Sequence, residues 1–189
     1  MTGSASASAS PAAVTAWVDA ADDPARIMSL INEGNGGDLD VIVTTHQHWD
    51  HHRALKQVVA STKALTAAGQ ADAEALPVIP ERRLAHDDTV TFGDISLGVI
   101  HLRGHTPGSV ALAYDDPQGH THLWTGDSLF PGGPGKTTRE VDFTSLMNDL
   151  EERVFGRFGD DTWIYPGHGN DTTLAAERPH LDEWRARGW

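Results

Sequence analysis

Apolar positions along the chain follow two rhythms, one of strands and one of helices, and their order changes midway. Val14–Val18 is a short apolar run that predicts a strand. Asp22-Asp23-Pro24 opens a helix, because proline suits the first helical position and acids suit the positive end of the helix dipole. Ile27, Leu30 and Ile31 repeat at helical spacing, and the stretch from Gly34 to Gly37 ends that helix. Leu39–Thr45 is a nearly continuous β-branched run, the pattern of a strand buried on both faces. Arg53–Ser61 predicts a helix, Lys63–Ala67 a short strand, and Ala71–Leu76 a turn or two of helix. Four strands follow closely: Thr89–Phe92, Ile95–Leu102, Ser109–Tyr114 and His120–Thr125. Phe143–Phe158 carries the best helical pattern, with Leu146, Leu150, Val154 and Phe158 on one stripe. Thr162–Tyr165 predicts a last strand, and Leu174–Trp189 a helix broken near Pro179. This mixed order favours a layered α/β fold with mixed sheets over a doubly wound sheet.

Composition narrows the reading. A length of 189 residues suits one domain, expected over 14–189. Residues 1–13 (MTGSASASASPAA) read as a disordered, low-complexity lead-in. They lack the basic and apolar regions of a signal peptide, so a cytoplasmic location is expected. No window is long and apolar enough for a membrane span, so no membrane partner is expected. The chain has no cysteine, which excludes disulfides, thiol nucleophiles and Cys-based zinc sites. Any metal must therefore be held by His, Asp and Glu. The net charge of −13 opposes nucleic-acid binding, which needs a basic face.

Histidine changes the picture most. There are 11, and they are unevenly placed. His46, His48, Asp50 and His51 lie together, directly after the most buried-looking strand. Alternate residues of an extended segment point the same way, so His46 and His48 can converge on one ion. Asp50 and His51 lie past the bend and reach a second point, and two ions about 3.5–4 Å apart fit such a cluster. His105, Asp127 and His168 each sit at the end of an expected strand in a Gly- or Pro-rich turn. Neutral imidazoles and carboxylates suit zinc, and also iron or manganese. His86, His101, His120, His122 and His180 read as ordinary surface or sheet histidines. Thr106 and Ser109 read as turn stabilisers.

The tetrad, Gly104-His105-Thr106-Pro107-Gly108-Ser109, Gly126-Asp127-Ser128-Leu129-Phe130 and Pro166-Gly167-His168-Gly169 together resemble the ordered motifs of the metallo-β-lactamase superfamily. They are most similar to its glyoxalase II-like branch. The resemblance runs from about Asp19 to the end of the last helix. It implies a four-layer αββα sandwich with two metals, zinc foremost, at the sheet edges. His46, His48 and His105 would hold one metal, Asp50, His51 and His168 the other, and Asp127 would bridge them. With two zinc ions, the two carboxylates and a hydroxide, the site keeps a net +1 that attracts a small anionic substrate and stabilises an oxyanion. Water bound to the metals has its pKa lowered toward ~7, so hydroxide becomes the nucleophile, with Asp50 to orient it or take its proton. Trp49, His52 and Lys136 are the candidate substrate-binding residues, with Arg139 beside them.

Two differences from the family carry expectations of their own. Relatives usually have two or more strands ahead of the segment matching Val14–Asp19, so the first sheet is expected to lack edge strands. Such an edge makes the chain less stable or calls for a partner, as in a homodimer. Glyoxalase II enzymes also carry a further helical domain that helps bind glutathione, so that specificity does not carry over. The resulting expectation is hydrolysis of a thioester or ester-like bond of a small molecule. A persulfide dioxygenase with a single iron is the first alternative and a lactonase the second. β-Lactamase and nuclease roles fit less well, and a degraded relative is the non-enzyme alternative.

Overall fold

A computed structural model describes residues 15–35 and 38–188 of the chain. The expected lead-in, Val14, Gly36, Gly37 and Trp189 lie outside these residues.

The first half alternates strands and helices. Strand β1 (Ala16–Val18) leads to α1 (Pro24–Asn35), β2 (Val41–Thr44), α2 (Leu55–Thr62), β3 (Leu65–Gly69) and β4 (Arg82–Leu84). The four strands form one parallel sheet in the order β1-β2-β3-β4. Asp23 starts α1 by accepting the Arg26 amide on its carboxylate at 3.0 Å, just before Pro24. α2 ends where Lys63 turns left-handed and its amide bonds back to the Val59 carbonyl. Every residue of β2 is buried, as its β-branched run requires. Ile42 packs outward against Ile27, Ile31, Leu55 and Val58 of the two helices, whereas Val41 and Val43 face inward.

The second half is β-rich and then helical. It contains β5 (Thr89–Phe92), β6 (Ile95–His101), β7 (Val110–Asp115), β8 (Thr121–Gly126), β9 (Leu129–Phe130), β10 (Gly133–Pro134) and α3 (Glu140–Leu150). It ends with β11 (Trp163–Pro166), β12 (Thr172–Thr173), α4 (Leu174–Glu177) and α5 (Leu181–Arg187). Six of these strands form a mixed sheet in the order β12-β11-β8-β7-β6-β5, while β9 and β10 pair as a small hairpin. Val90, Leu97, Val99, Val110 and Leu112 pack across to Val41 and Val43, closing the core between the sheets. Leu123 and Ile164 face the other way, onto Leu146, Leu150, Val154 and Trp184 of the second helical layer. Each such buried aliphatic side chain contributes about 1.5–3 kcal/mol. The result is the expected αββα sandwich.

Several local expectations change. β4, β9, β10 and β12 are two or three residues long and carry no alternating pattern, so only pairing in space makes them strands. α3 begins at Glu140 rather than Phe143, after Arg139, whose guanidinium bonds both Asp142 oxygens. Beyond Leu150 the helix widens into a π turn over Glu151–Phe155. Among the described residues no strand pairs with the outer side of β1.

Candidate metal centre

Four chain segments meet at one end of the sandwich. The segment after β2 carries His46, His48, Asp50 and His51; the β6–β7 loop carries His105; Asp127 follows β8; His168 follows β11. His48 is still extended, and a 3₁₀ turn over Trp49–His51 then folds the chain back. Donor atoms of His46, His48 and His105 all lie within 4.8 Å of one another. The same holds for Asp50, His51 and His168, and for His46, His51 and Asp127. His48 Nδ1 is 3.1 Å from His46 Nε2 and 2.9 Å from His105 Nε2. His168 Nε2 is 3.1 Å from His51 Nε2 and 3.2 Å from Asp50 Oδ2.

Asp127 stands between the two groups. Its oxygens lie 3.3 Å from His51, 3.7 Å from His105 and 3.7 Å from His168. Its Oδ1 is buried and, among the described residues, meets no well-aligned hydrogen-bond donor, the His51 ring at 3.3 Å being its near neighbour. A buried carboxylate oxygen without a well-aligned donor is costly, and a cation satisfies it. All seven expected donors thus come together, and their chemistry fits two divalent ions. Gly167 shows how tight the site is: a Cβ there would stand 2.3 Å from Asp127 Oδ1 and 2.5 Å from the His51 ring. Only glycine lets this backbone pass so close.

Neighbouring groups orient the imidazoles. His46 Nδ1 meets the Thr45 hydroxyl at 3.1 Å, and His105 Nδ1 donates to the Lys136 carbonyl at 2.7 Å. His51 Nδ1 instead donates to the Asp19 carboxylate at 2.8 Å. Each contact leaves the other ring nitrogen directed at the cluster. Asp19 also accepts the Thr45 amide and hydroxyl, each at 2.7 Å. It sits at a left-handed φ of 55°, a conformation aspartate tolerates better than most residues.

The two groups differ in charge. Burial first, and then the charge of His51, pushes His46 down to about 2. Burial also lowers His105, more than Lys136 and Asp127 raise it. For His51 burial acts downward too, but the Asp127 and Asp19 carboxylates outweigh it and carry it up to about 10. Burial would raise Asp127, yet His51 first, then His46 and His105, hold it below the usual carboxylate range.

Sequence reasoning missed two aspartates. Asp19 is one. Asp72, fully buried, is the other: it accepts the Gln47 amide at 2.9 Å, the Thr106 hydroxyl at 2.5 Å and the Gly108 amide at 2.7 Å. It ties the tetrad segment to the His105 loop. Its one sequence signal was an acid just past a strand end. Thr106 and Ser109 bond each other in the same loop, as expected of turn stabilisers. Asp149 anchors the start of that loop through Arg103: burial acts to raise its carboxyl, but Arg103 bonds hold it below the usual range.

The expected substrate residues scatter. Trp49 is 66% exposed and stacks on the Arg53 guanidinium at 3.7 Å. His52 Nε2 bonds the Gln47 carbonyl at 3.0 Å and so braces the tetrad segment. Lys136 lends its carbonyl to His105 and lines a separate cavity with Phe143 and Arg187. Arg139 is held by Asp142.

Known proteins resemble this one in both sequence and shape. The chain is 27% identical over 164 residues to the cytoplasmic isozyme of hydroxyacylglutathione hydrolase from Saccharomyces cerevisiae, covering 80% of this chain and 58% of that one. It is 32% identical over 156 residues to the hydroxyacylglutathione hydrolase of Brucella anthropi, covering 82% and 56%. The chain thus spans less than two thirds of these relatives. In shape it matches the B3 metallo-β-lactamase BLEG-1 with a TM-score of 0.80 at 22% identity, over 90% of this chain and 88% of that one. It matches ETHE1 from Myxococcus xanthus with a TM-score of 0.76 at 24% identity, over 92% and 75%. Residues 18–168 match the family described as the metallo-beta-lactamase superfamily. With that match spanning most of the chain, and with the αββα sandwich bringing the motif residues to one end, the protein belongs to the metallo-β-lactamase superfamily.

Proposed function

We propose that the chain is a dinuclear metallohydrolase that cleaves thioester bonds of small molecules in the cytoplasm, with zinc as its metal. One observation carries this reading: two triads of donors converge with the under-bonded Asp127 between them. The hydroxyacylglutathione hydrolases named above support the thioester class. His46, His48 and His105 would hold one ion, and Asp50, His51 and His168 the other. When bound, the ions supply Lewis acidity toward water and toward the substrate carbonyl.

The chain's own residues do the rest. Asp50, beside His168 at the more open side of the cluster, orients the attacking water and takes up its proton. Asp19 keeps the His51 ring from turning, and Thr45 and Lys136 do the same for His46 and His105. Water adds to the carbonyl carbon, the C–S bond breaks, the sulfur leaves as a thiol with the proton Asp50 returns, and the new carboxylic acid releases its remaining proton to solvent. The products are a carboxylate and a thiol, so no oxidant is needed.

A persulfide dioxygenase with one iron is the second reading. It leaves Asp50, His51 and His168 without a common task, and their convergence within 4.8 Å speaks against it. Metal analysis with a thioester panel tests both. Two zinc ions per chain and hydrolysis of simple thioesters are expected. One iron per chain with no thioester turnover overturns the proposal.

A further inference from the structure

Two cavities flank the candidate metal centre on opposite sides, and their walls differ in kind. On the side of His48 and His105, a cavity of about 510 Å³ is lined by Arg103, Thr138, Arg139 and Asp142. On the side of Asp50, His51 and His168, a cleft of about 440 Å³ runs between β1 and the ends of β8 and β11. Trp124 and Tyr165 wall this cleft opposite β1, whose Trp17 side chain packs toward the helices beside Ile42, and among the described residues no lysine or arginine lines it.

The cleft lies, among the described residues, where the two sheets differ in width. Among the described residues the four-stranded sheet stops at β1, while the six-stranded sheet continues through β8, β11 and β12. Among the described residues no strand faces the inner sides of β8 and β11. Trp124 and Tyr165 stack there with ring centroids 5.6 Å apart and planes 24° from parallel. Their polar neighbours are already satisfied. The Tyr165 hydroxyl meets His122 Nδ1 at 2.8 Å, and the Trp17 indole donates to the Asp19 carbonyl at 3.2 Å. What remains toward the cleft is aromatic surface, half-buried and continuous with three candidate metal-binding side chains.

We propose that this cleft is the acyl pocket of the enzyme and takes a planar, apolar acyl group, such as an arylacetyl group. The inference rests on the thioesterase reading above and adds the substrate class. Flat rings of a ligand stack on indole and phenol faces, and a pocket of this size lined by aromatics suits them. Biological thiol carriers are polar, so the leaving half belongs on the opposite side, against Arg103, Arg139 and Thr138. A substrate laid across the cluster then places its scissile carbonyl between two walls that match its two halves. Away from the metal-facing side chains, the described residues offer no lysine or arginine in the cleft to pair a second negative charge on the acyl group.

Calorimetric titration of the intact, zinc-loaded chain with 2-naphthylacetate and with acetate tests the pocket without any turnover. Acetate carries the same carboxylate and no ring. Naphthylacetate is expected to bind roughly tenfold tighter or more, an advantage that stacking and burial of the ring supply. Trp124→Ala and the milder Tyr165→Leu should each bring the two ligands within about threefold of one another. Circular dichroism of each variant shows whether the fold is kept. Equal affinity for the two ligands overturns the pocket, as does a preference that both folded variants retain. A cleft filled by residues 1–14 or by a second copy of the chain gives that same equal affinity.

Hydrolysis of the naphthylacetyl and acetyl thioesters of N-acetylcysteamine separates the two proposals. Selective binding without hydrolysis of either thioester removes the thioesterase reading and leaves the pocket standing. Hydrolysis of both without selective binding does the reverse.

Discussion

The two donor triads are built from similar residues and held in opposite ways. His46, His48 and His105 form an all-imidazole group whose orienting partners are neutral, a hydroxyl and a carbonyl. Asp50, His51 and His168 form a group that contains a carboxylate, is steered by a second carboxylate, and leaves the His168 side chain 55% exposed. Burial keeps His46 and His105 unprotonated, whereas Asp127 and Asp19 keep a proton on His51. A cation entering the first triad meets two imidazoles, His46 and His105, that burial biases toward the neutral form. A cation entering the second must displace a proton, since metal binding requires neutral imidazole. The lesson is that one site can hold a preformed half and a pH-gated half with the same ligand chemistry.

The largest test of this contrast is His48→Ala. It removes a donor from the preformed half and is expected to lower thioesterase kcat/KM by about a thousandfold or more. Activity within tenfold of the parent means the first triad is not the catalytic anchor. Next in size is Asp72→Ala, which leaves the Gln47 amide, the Thr106 hydroxyl and the Gly108 amide without their acceptor. A loss of about 3 kcal/mol in unfolding free energy is expected by denaturant titration. If zinc binding at the second triad weakens as much as at the first, Asp72 does not serve the first selectively.

Asp19→Asn sharpens the other side of the comparison. It keeps the shape of the side chain and removes the charge that steers His51. Zinc affinity of the second triad should fall about 10–100-fold while the first changes little, as read by competitive chelator titration. Equal losses at both triads erase the distinction drawn here.

The smallest effect concerns pH. His51 is raised from 6.5 to about 10 on folding, so its stabilisation is full below 6.5 and is lost as pH climbs toward 10. His46 falls from 6.5 to about 2, so between those values the unfolded chain binds more protons and stability rises with pH. The metal-stripped chain should therefore show a thermal midpoint that peaks near pH 6.5 and falls on both sides, by a few degrees. His51→Gln should flatten the alkaline limb alone. An unchanged alkaline limb in that variant places the proton elsewhere.

Much of the site was legible because its chemistry is local. His46, His48, Asp50 and His51 are near neighbours in the sequence, and the β-branched run before them announces the strand that delivers them. His105, Asp127 and His168 stand in Gly- and Pro-rich turns that mark strand ends. The orienting residues were not legible for the opposite reason. Asp19 acts on Thr45, 26 positions away, and Asp72 acts on Thr106, 34 positions away. Nothing beside either aspartate in the chain reports its partner. The long helix was legible from its stripe of Leu146, Leu150 and Val154, but its π turn was not, because a side-chain stripe does not report which carbonyl each amide reaches.

The sequence alone determined the ligand types, the exclusion of thiol chemistry and the order in which strands hand over their donors. These follow from residue identity and from short-range periodicity, which are properties of neighbouring positions. Only the tertiary structure decided that burial biases His46 and His105 toward the neutral form while the Asp127 and Asp19 carboxylates raise His51. It alone set Asp127 between the two triads, and it alone opened an aromatic cleft on one side of them. Those outcomes depend on burial, on charges brought together from distant segments, and on the unequal widths of two sheets, none of which is a property of any short stretch of chain.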